Sequence, residues 1–194
     1  NIDKNNISIY FASKNVYQNI SEKDLIKQIE IFLDNSDSSD INIALLEDFI
    51  MQQKYVRKAE VYLNLYDALD IYIYFREPFI KLLRNNKIYY YDKVGVSLPK
   101  LKPIYDNLLV LSGDLDMNNF DYLSSLVNQV YNNDILTNLI GGIHYDDNYG
   151  YILSSKVCDV GINFGKHPVF NLKRLDMVEL FSVFLFEELG CDYC

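Results

Sequence analysis

The side chains able to do chemistry are few and scattered. The chain holds 2 histidines, His144 and His167, and 3 cysteines, Cys158, Cys191 and Cys194. A hydrolytic site needs a nucleophile, a base that reaches it and a donor for the developing oxyanion. No Ser or Cys stands in a nucleophile motif, and no glycine-rich phosphate loop precedes a helix. Asp146 and Asp147 are adjacent acids just past His144, and together they form the one hydrolase constellation on offer. A solvated hairpin tip is nevertheless the ordinary home of such acids, ahead of a general acid/base pair or a Ca²⁺ site. His144, with no partner at ligand spacing, reads as a polar rim residue. Cys191-Asp192-Tyr193-Cys194 has the spacing of a redox or metal pair, but with no second pair and no nearby His. The residues therefore predict a protein that is not an enzyme, with no catalytic, cofactor-binding or metal site.

Composition narrows the partners. The chain has 194 residues, 49% of them hydrophobic, which is enough for one large or two small cores. Its net charge of -9 disfavours nucleic acid or an anionic membrane surface, because phosphates are repelled. Its 17 tyrosines and absence of tryptophan suit sheets and wet interfaces, although an AT-rich genome accounts for most of the excess. No run approaches the roughly 20 apolar residues of a membrane span. The chain begins at Asn1 and not at Met, so an upstream piece is expected.

The elements fall into two groups about Leu69–Pro78. Leu69, Ile71, Ile73 and Phe75 alternate with Asp70, Tyr72 and Tyr74, the period of a half-buried strand. Pro78 ends that strand and holds Glu77 extended, so Arg76, Glu77 and Pro78 read as a domain hinge. Ahead of it come a strand over 6–11, a Ser21-capped helix with Leu25, Ile26, Ile29, Phe32 and Leu33 as its apolar stripe, and a helix over 42–53. A strand over 56–65 follows, with Val56, Leu63 and either Ala59 or Val61 buried. The order is β-α-α-β-β. Beyond the hinge, Asn85-Asn86 predicts a hairpin turn between strands 79–83 and 87–92. A strand over 107–113, a helix over 120–131, a Gly141-Gly142-broken strand over 135–145, strands over 151–157 and 160–164, and a helix over 171–189 follow. The fold class is α+β. A β-α-α-β-β domain at 6–77 precedes a mixed, mostly antiparallel β domain with flanking helices at 78–190.

The order and four motifs together resemble the ectodomain of the FtsQ/DivIB cell-division family. The carriers are Leu45-Leu46-Glu47 with Tyr55–Tyr62; Leu69–Pro78, where Arg76 and Pro78 match; Ile88–Gly95 with Leu98-Pro99; and Val160–Gly165. They span about residues 6–190, and their Tyr- and Asn-rich flavour is similar to the Bacteroidota branch. The resemblance implies that the first unit is a POTRA domain. It implies the periplasmic domain of a single-pass inner-membrane protein, a divisome scaffold at the septum. Its partners would be FtsB-like and FtsL-like coiled-coil proteins, bound by strand addition at a sheet edge. Family members carry one more terminal strand than is visible here, so Tyr151, Leu153, Val160, Ile162 and Phe164 become the expected partner-binding residues. Arg57, Lys58, Glu60 and Tyr62 become a POTRA recruitment surface. The alternative is a POTRA-type chaperone module for outer-membrane protein assembly or secretion.

Overall fold

Period-two strands and two capped helices build the first part of the chain. A computed structural model describes residues 6–36, 41–66, 68–105, 107–156, 161–166, 177, 178, 180 and 183. The element order opens β1 (Ile7–Phe11), α1 (Glu22–Asn35), α2 (Ile43–Met51), β2 (Val56–Leu63) and β3 (Leu69–Phe75). Ser21 accepts from the Asp24 amide to cap α1, and Asn42 accepts from that of Leu45 to cap α2. Leu25, Ile29 and Leu33 are buried on α1, and Leu46 and Ile50 on α2, at i, i+4 spacing. The sheet order is β1-β3-β2. β1 runs parallel to β3, a pairing that needs a crossover, which the two helices supply. β3 alternates as expected, with Leu69, Ile71, Ile73 and Phe75 buried. A register shift between Val56 and Lys58 settles the ambiguity on β2: Val56, Ala59 and Val61 are all buried because Arg57 is the extra residue of a bulge, whereas Leu63, expected inward, is exposed at the strand's end.

Two compact units divide the chain: Asn1–Glu77 with Val96–Asp106, and Pro78–Gly95 with Asn107–Cys194. The returning segment carries the two-residue strand β6 (Ser97–Leu98), which follows β4 (Pro78–Arg84) and β5 (Lys87–Asp92). It is tied to the first unit through its backbone. Gln18 N–H donates to the Lys100 carbonyl at 2.8 Å, and Lys102 N–H to that of Val16 at 2.9 Å. The Lys102 ammonium donates to the Asn15 carbonyl, and Leu101 is buried.

In the second unit, strands β7 (Val110–Gly113), β8 (Ile140–Asp146), β9 (Gly150–Ser155) and β10 (Gly161–Gly165) join β4 and β5. They run in the order β10-β9-β8-β7-β4-β5. β4–β7 and β7–β8 are parallel, and the other three pairings are antiparallel. Asn85 and Asn86 hold φ of 51° and 57° in the β4–β5 hairpin, the left-handed turn that asparagine tolerates. Helix α3 (Phe120–Tyr131) buries Leu123, Leu126, Val127 and Val130 in a core shared with Ile80, Leu82, Leu111, Ile143 and Leu153.

Two expected strands are corrected. Residues 134–139 form a helix, α4 (Asp134–Leu139), and not the start of a strand. Asn133 accepts from the Leu136 amide at 3.0 Å, so Asn133-Asp134 acts as a helix start and only Ile140 onward is extended. β7 begins at Val110, three residues later than the strand expected from 107. Gly141-Gly142 does mark a bulge, and a Cβ on Gly142 would meet the Val110 carbonyl at 2.9 Å. Of the expected last helix, Met177, Val178, Leu180 and Val183 are helical, and the rest of 171–189 lies outside the described residues.

Candidate functional site

The exposed face of the first sheet is a tyrosine-lined polar surface. Pairing sets Lys58, Glu60 and Tyr62 on β2 opposite Tyr74, Tyr72 and Asp70 on β3, with Tyr10 of β1 beside Tyr72. The Tyr10 and Tyr72 rings stack at 4.9 Å, and Tyr62 meets Tyr72 edge-on at 5.9 Å. Lys58 and Glu60 form an ion pair, and the Lys58 ammonium lies 5.7 Å from the centre of the Tyr74 ring. The hydrogen bond from Lys58, followed by that from the Tyr74 hydroxyl, holds the Glu60 carboxyl below its usual range. The same bond raises Lys58. Bonding to Glu60 also pushes the Tyr62 and Tyr74 phenols up, because an ionised phenolate would face a carboxylate. Arg57, the bulge residue, is exposed and lies outside this ladder. Of the four residues expected on this surface, three are thus joined and one is set apart. Tyr10, Tyr72 and Tyr74 complete the group, and the alternation of β1 and β3 was the signal for them.

A second surface is the end of the other sheet. β10 is its last strand among the described residues, paired to β9 through Ile162↔Leu153 and Asn163↔Ile152. A bulge between Asn163 and Gly165 closes it, where the Gly165 amide donates to the Asn163 side chain at 2.7 Å. Tyr151, Leu153 and Phe164 are buried at 9%, 0% and 6% exposure. Their side chains therefore serve packing, half-buried Ile162 packs partly against the same core, and what β10 presents is its backbone, the uncovered part of Ile162 and the exposed Asn163. Val160 lies outside the described residues.

At the unit boundary, the Arg76 amide donates to the Tyr55 carbonyl, and the Arg76 carbonyl accepts from the buried Tyr17 hydroxyl at 2.7 Å. Glu77 ends the first of the two segments of the first unit and is exposed. Pro78 opens β4, where a missing N–H costs little.

Among the described residues, the chemistry-bearing side chains assemble one dyad. Ser112 Oγ lies 2.9 Å from His144 Nδ1 across the parallel β7–β8 pair. The sequence offered no motif for it, because 32 positions separate the two residues. His144 is exposed, and among the described residues no carboxylate hydrogen-bonds to it. Asp146 is instead a turn builder, accepting from the Asn148 and Tyr149 amides at 2.7 and 3.0 Å. Among the described residues no three His, Cys, Asp or Glu side chains gather to hold a metal. His167, Cys158, Cys191 and Cys194 lie outside them. Among the described residues, no helix is long and apolar enough to cross a membrane.

The model of the family described as FtsQ/DivIB, C-terminal related, matches residues 77–189, more than half of the chain. No curated protein matches it.

Proposed function

The chain belongs to the FtsQ/DivIB, C-terminal related family, and on that premise we propose that it is the extracytoplasmic, non-enzymatic part of a membrane-anchored division scaffold. Residues 6–77 serve as a POTRA-like recruitment domain and 78–190 as the partner-binding β domain. FtsB-like and FtsL-like partners add a strand at β10, whose backbone N–H and C=O groups supply affinity while Ile162 supplies selectivity. The tyrosine-lined face around Lys58, Glu60 and Tyr62 recruits a further divisome protein.

The observation that carries the reading is the terminal position of β10 among the described strands, with its bulge limiting how far pairing can run. The test mixes the chain with FtsB-like and FtsL-like ectodomains and compares Ile162→Pro with Asn163→Pro. Successive residues of a strand point their N–H groups to opposite sides. One variant therefore loses a bond to β9, and the other blocks the outer edge while keeping the fold. The outer-edge variant is expected to abolish binding with an unchanged thermal midpoint. Binding that survives both substitutions would rule out strand addition here.

A further inference from the structure

Two large side chains stand almost wholly in solvent at one point of the first unit. Leu65 is 99% exposed and Tyr66 84%, at the tip of the β2–β3 hairpin. The tip is held in shape by its own side chain. Asn64 Oδ1 accepts from the Tyr66 and Ala68 amides at 2.9 and 3.1 Å, its Nδ2 donates to Asp70 at 3.3 Å, and its N–H donates to the Ala68 carbonyl. Exposure of Leu65 and Tyr66 is thus built into a fixed turn, with little freedom left to tuck either ring or chain away. Tyr62 and Leu63, 52% and 46% exposed, extend the apolar surface down the strand.

The tip shares an end of the sheet with the start of β1. Ile7 pairs with Leu69, and the Leu69 amide donates to the Asn6 carbonyl at 3.0 Å. We propose that Leu65 and Tyr66 dip into the lipid interface beside the chain's own membrane anchor and fix the first unit's orientation there. This rests on the anchored reading above. Tyrosine favours the water–lipid boundary because its ring is apolar and its hydroxyl stays wet, and a neighbouring leucine adds apolar area. No lysine or arginine lies between Lys58 and Arg76, so the contact is with acyl and glycerol groups and not with anionic headgroups. Two side chains hold no free protein on a bilayer, but a tether makes the encounter intramolecular and raises the effective concentration. A convex tip with no groove of its own also suits a fluid surface better than a shaped one.

The chain has no tryptophan, so Tyr66→Trp places the sole indole at the tip, and Tyr149→Trp places it on the exposed β8–β9 turn as a control. Each variant is attached through an N-terminal polyhistidine tag to phosphatidylcholine vesicles containing a nickel-chelating lipid. The Tyr66→Trp indole is expected to shift to the blue and to be quenched by brominated acyl chains roughly twofold or more beyond the control. Adding Leu65→Asp is expected to return quenching to the control level with unchanged circular dichroism. Equal quenching of the two indoles overturns the proposal. So does an unquenched tip whose Leu65→Asp variant loses capture by FtsB-like and FtsL-like ectodomains, which makes it a protein contact. The tether stands in for the anchor, so the anchored reading fails separately, through a full-length gene lacking an apolar span upstream.

Discussion

All 8 glycines of the chain belong to the second unit and none to the first. The two units therefore reach a sheet by different means. In the first, side-chain alternation does the work: β3 buries every second residue, and the crossover through α1 and α2 brings β1 alongside. In the second, strands also depend on backbone approaches that a Cβ would block. Gly113 sits at φ +89°, where an added Cβ would meet the Tyr145 carbonyl oxygen at 2.0 Å. Gly150, at φ +83°, would press one onto Gly165 at 2.2 Å. The lesson is that a unit made by pattern tolerates local change, while a unit made by contact between main chains does not.

The sharpest way to break this comparison is Gly113→Ala. Positive-φ strain is worth about 1–2 kcal/mol and the clash with Tyr145 about 1–3 kcal/mol, so a loss on the order of 2–5 kcal/mol in the second unit is expected by urea denaturation. Gly165→Ala is the control: nothing lies within 4 Å of its added Cβ, so only the φ cost of about 1–2 kcal/mol remains. Equal losses for the two variants would mean that the close approach is not what holds β7 to β8. Next in size is Ile71→Val in the fully buried middle of β3, expected to cost about 0.5–1.5 kcal/mol and to leave the strand paired. A loss several times larger would show that the first unit is as intolerant as the second.

The smallest expected effect is a pH dependence, which bears on both units. Burial raises Tyr122, Tyr131 and Tyr151 in the second unit and Tyr55 in the first, where bonding to Glu60 also raises Tyr62 and Tyr74. Tyr131 is further placed by its hydroxyl, which donates to the Phe79 carbonyl and accepts from the Leu109 amide. Unfolded tyrosines ionise near pH 10 while these stay protonated, so the folded state binds more protons there, and stability falls as pH rises through that value. The urea midpoint is expected to drop between about pH 9 and 11, with Tyr131→Phe flattening part of the slope. A flat profile would count against buried phenols in this core.

Much of this architecture was legible beforehand where a local rule had no competitor. The Ser21 and Asn42 caps, the β3 alternation, the Asn85-Asn86 turn and the Phe120–Tyr131 stripe each rest on neighbours within a few positions. Legibility failed where two local rules competed. Residues 134–139 are apolar enough for a strand, but Asn133 is a good cap, and the cap prevailed. The candidate surfaces were legible only in part. Alternation marks Lys58, Glu60 and Tyr62 as exposed, whereas the same alternation on β9 and β10 could not say which parity faces the core. Tyr151, Leu153 and Phe164 proved to be the buried set.

The amino-acid order by itself determined which segments coil and which extend, because capping, turn chemistry and period act over a few residues. It also determined the acidic charge and the absence of any local catalytic motif. Tertiary structure alone decided that Val96–Asp106 returns to the first unit, that Arg57 is squeezed out of its ladder, that Ser112 meets His144, and that four tyrosines from three strands share one face. Each of those depends on pairing between residues far apart in the chain. Such pairing is selected by the total burial and hydrogen bonding of the folded unit, a quantity that no short window of sequence contains.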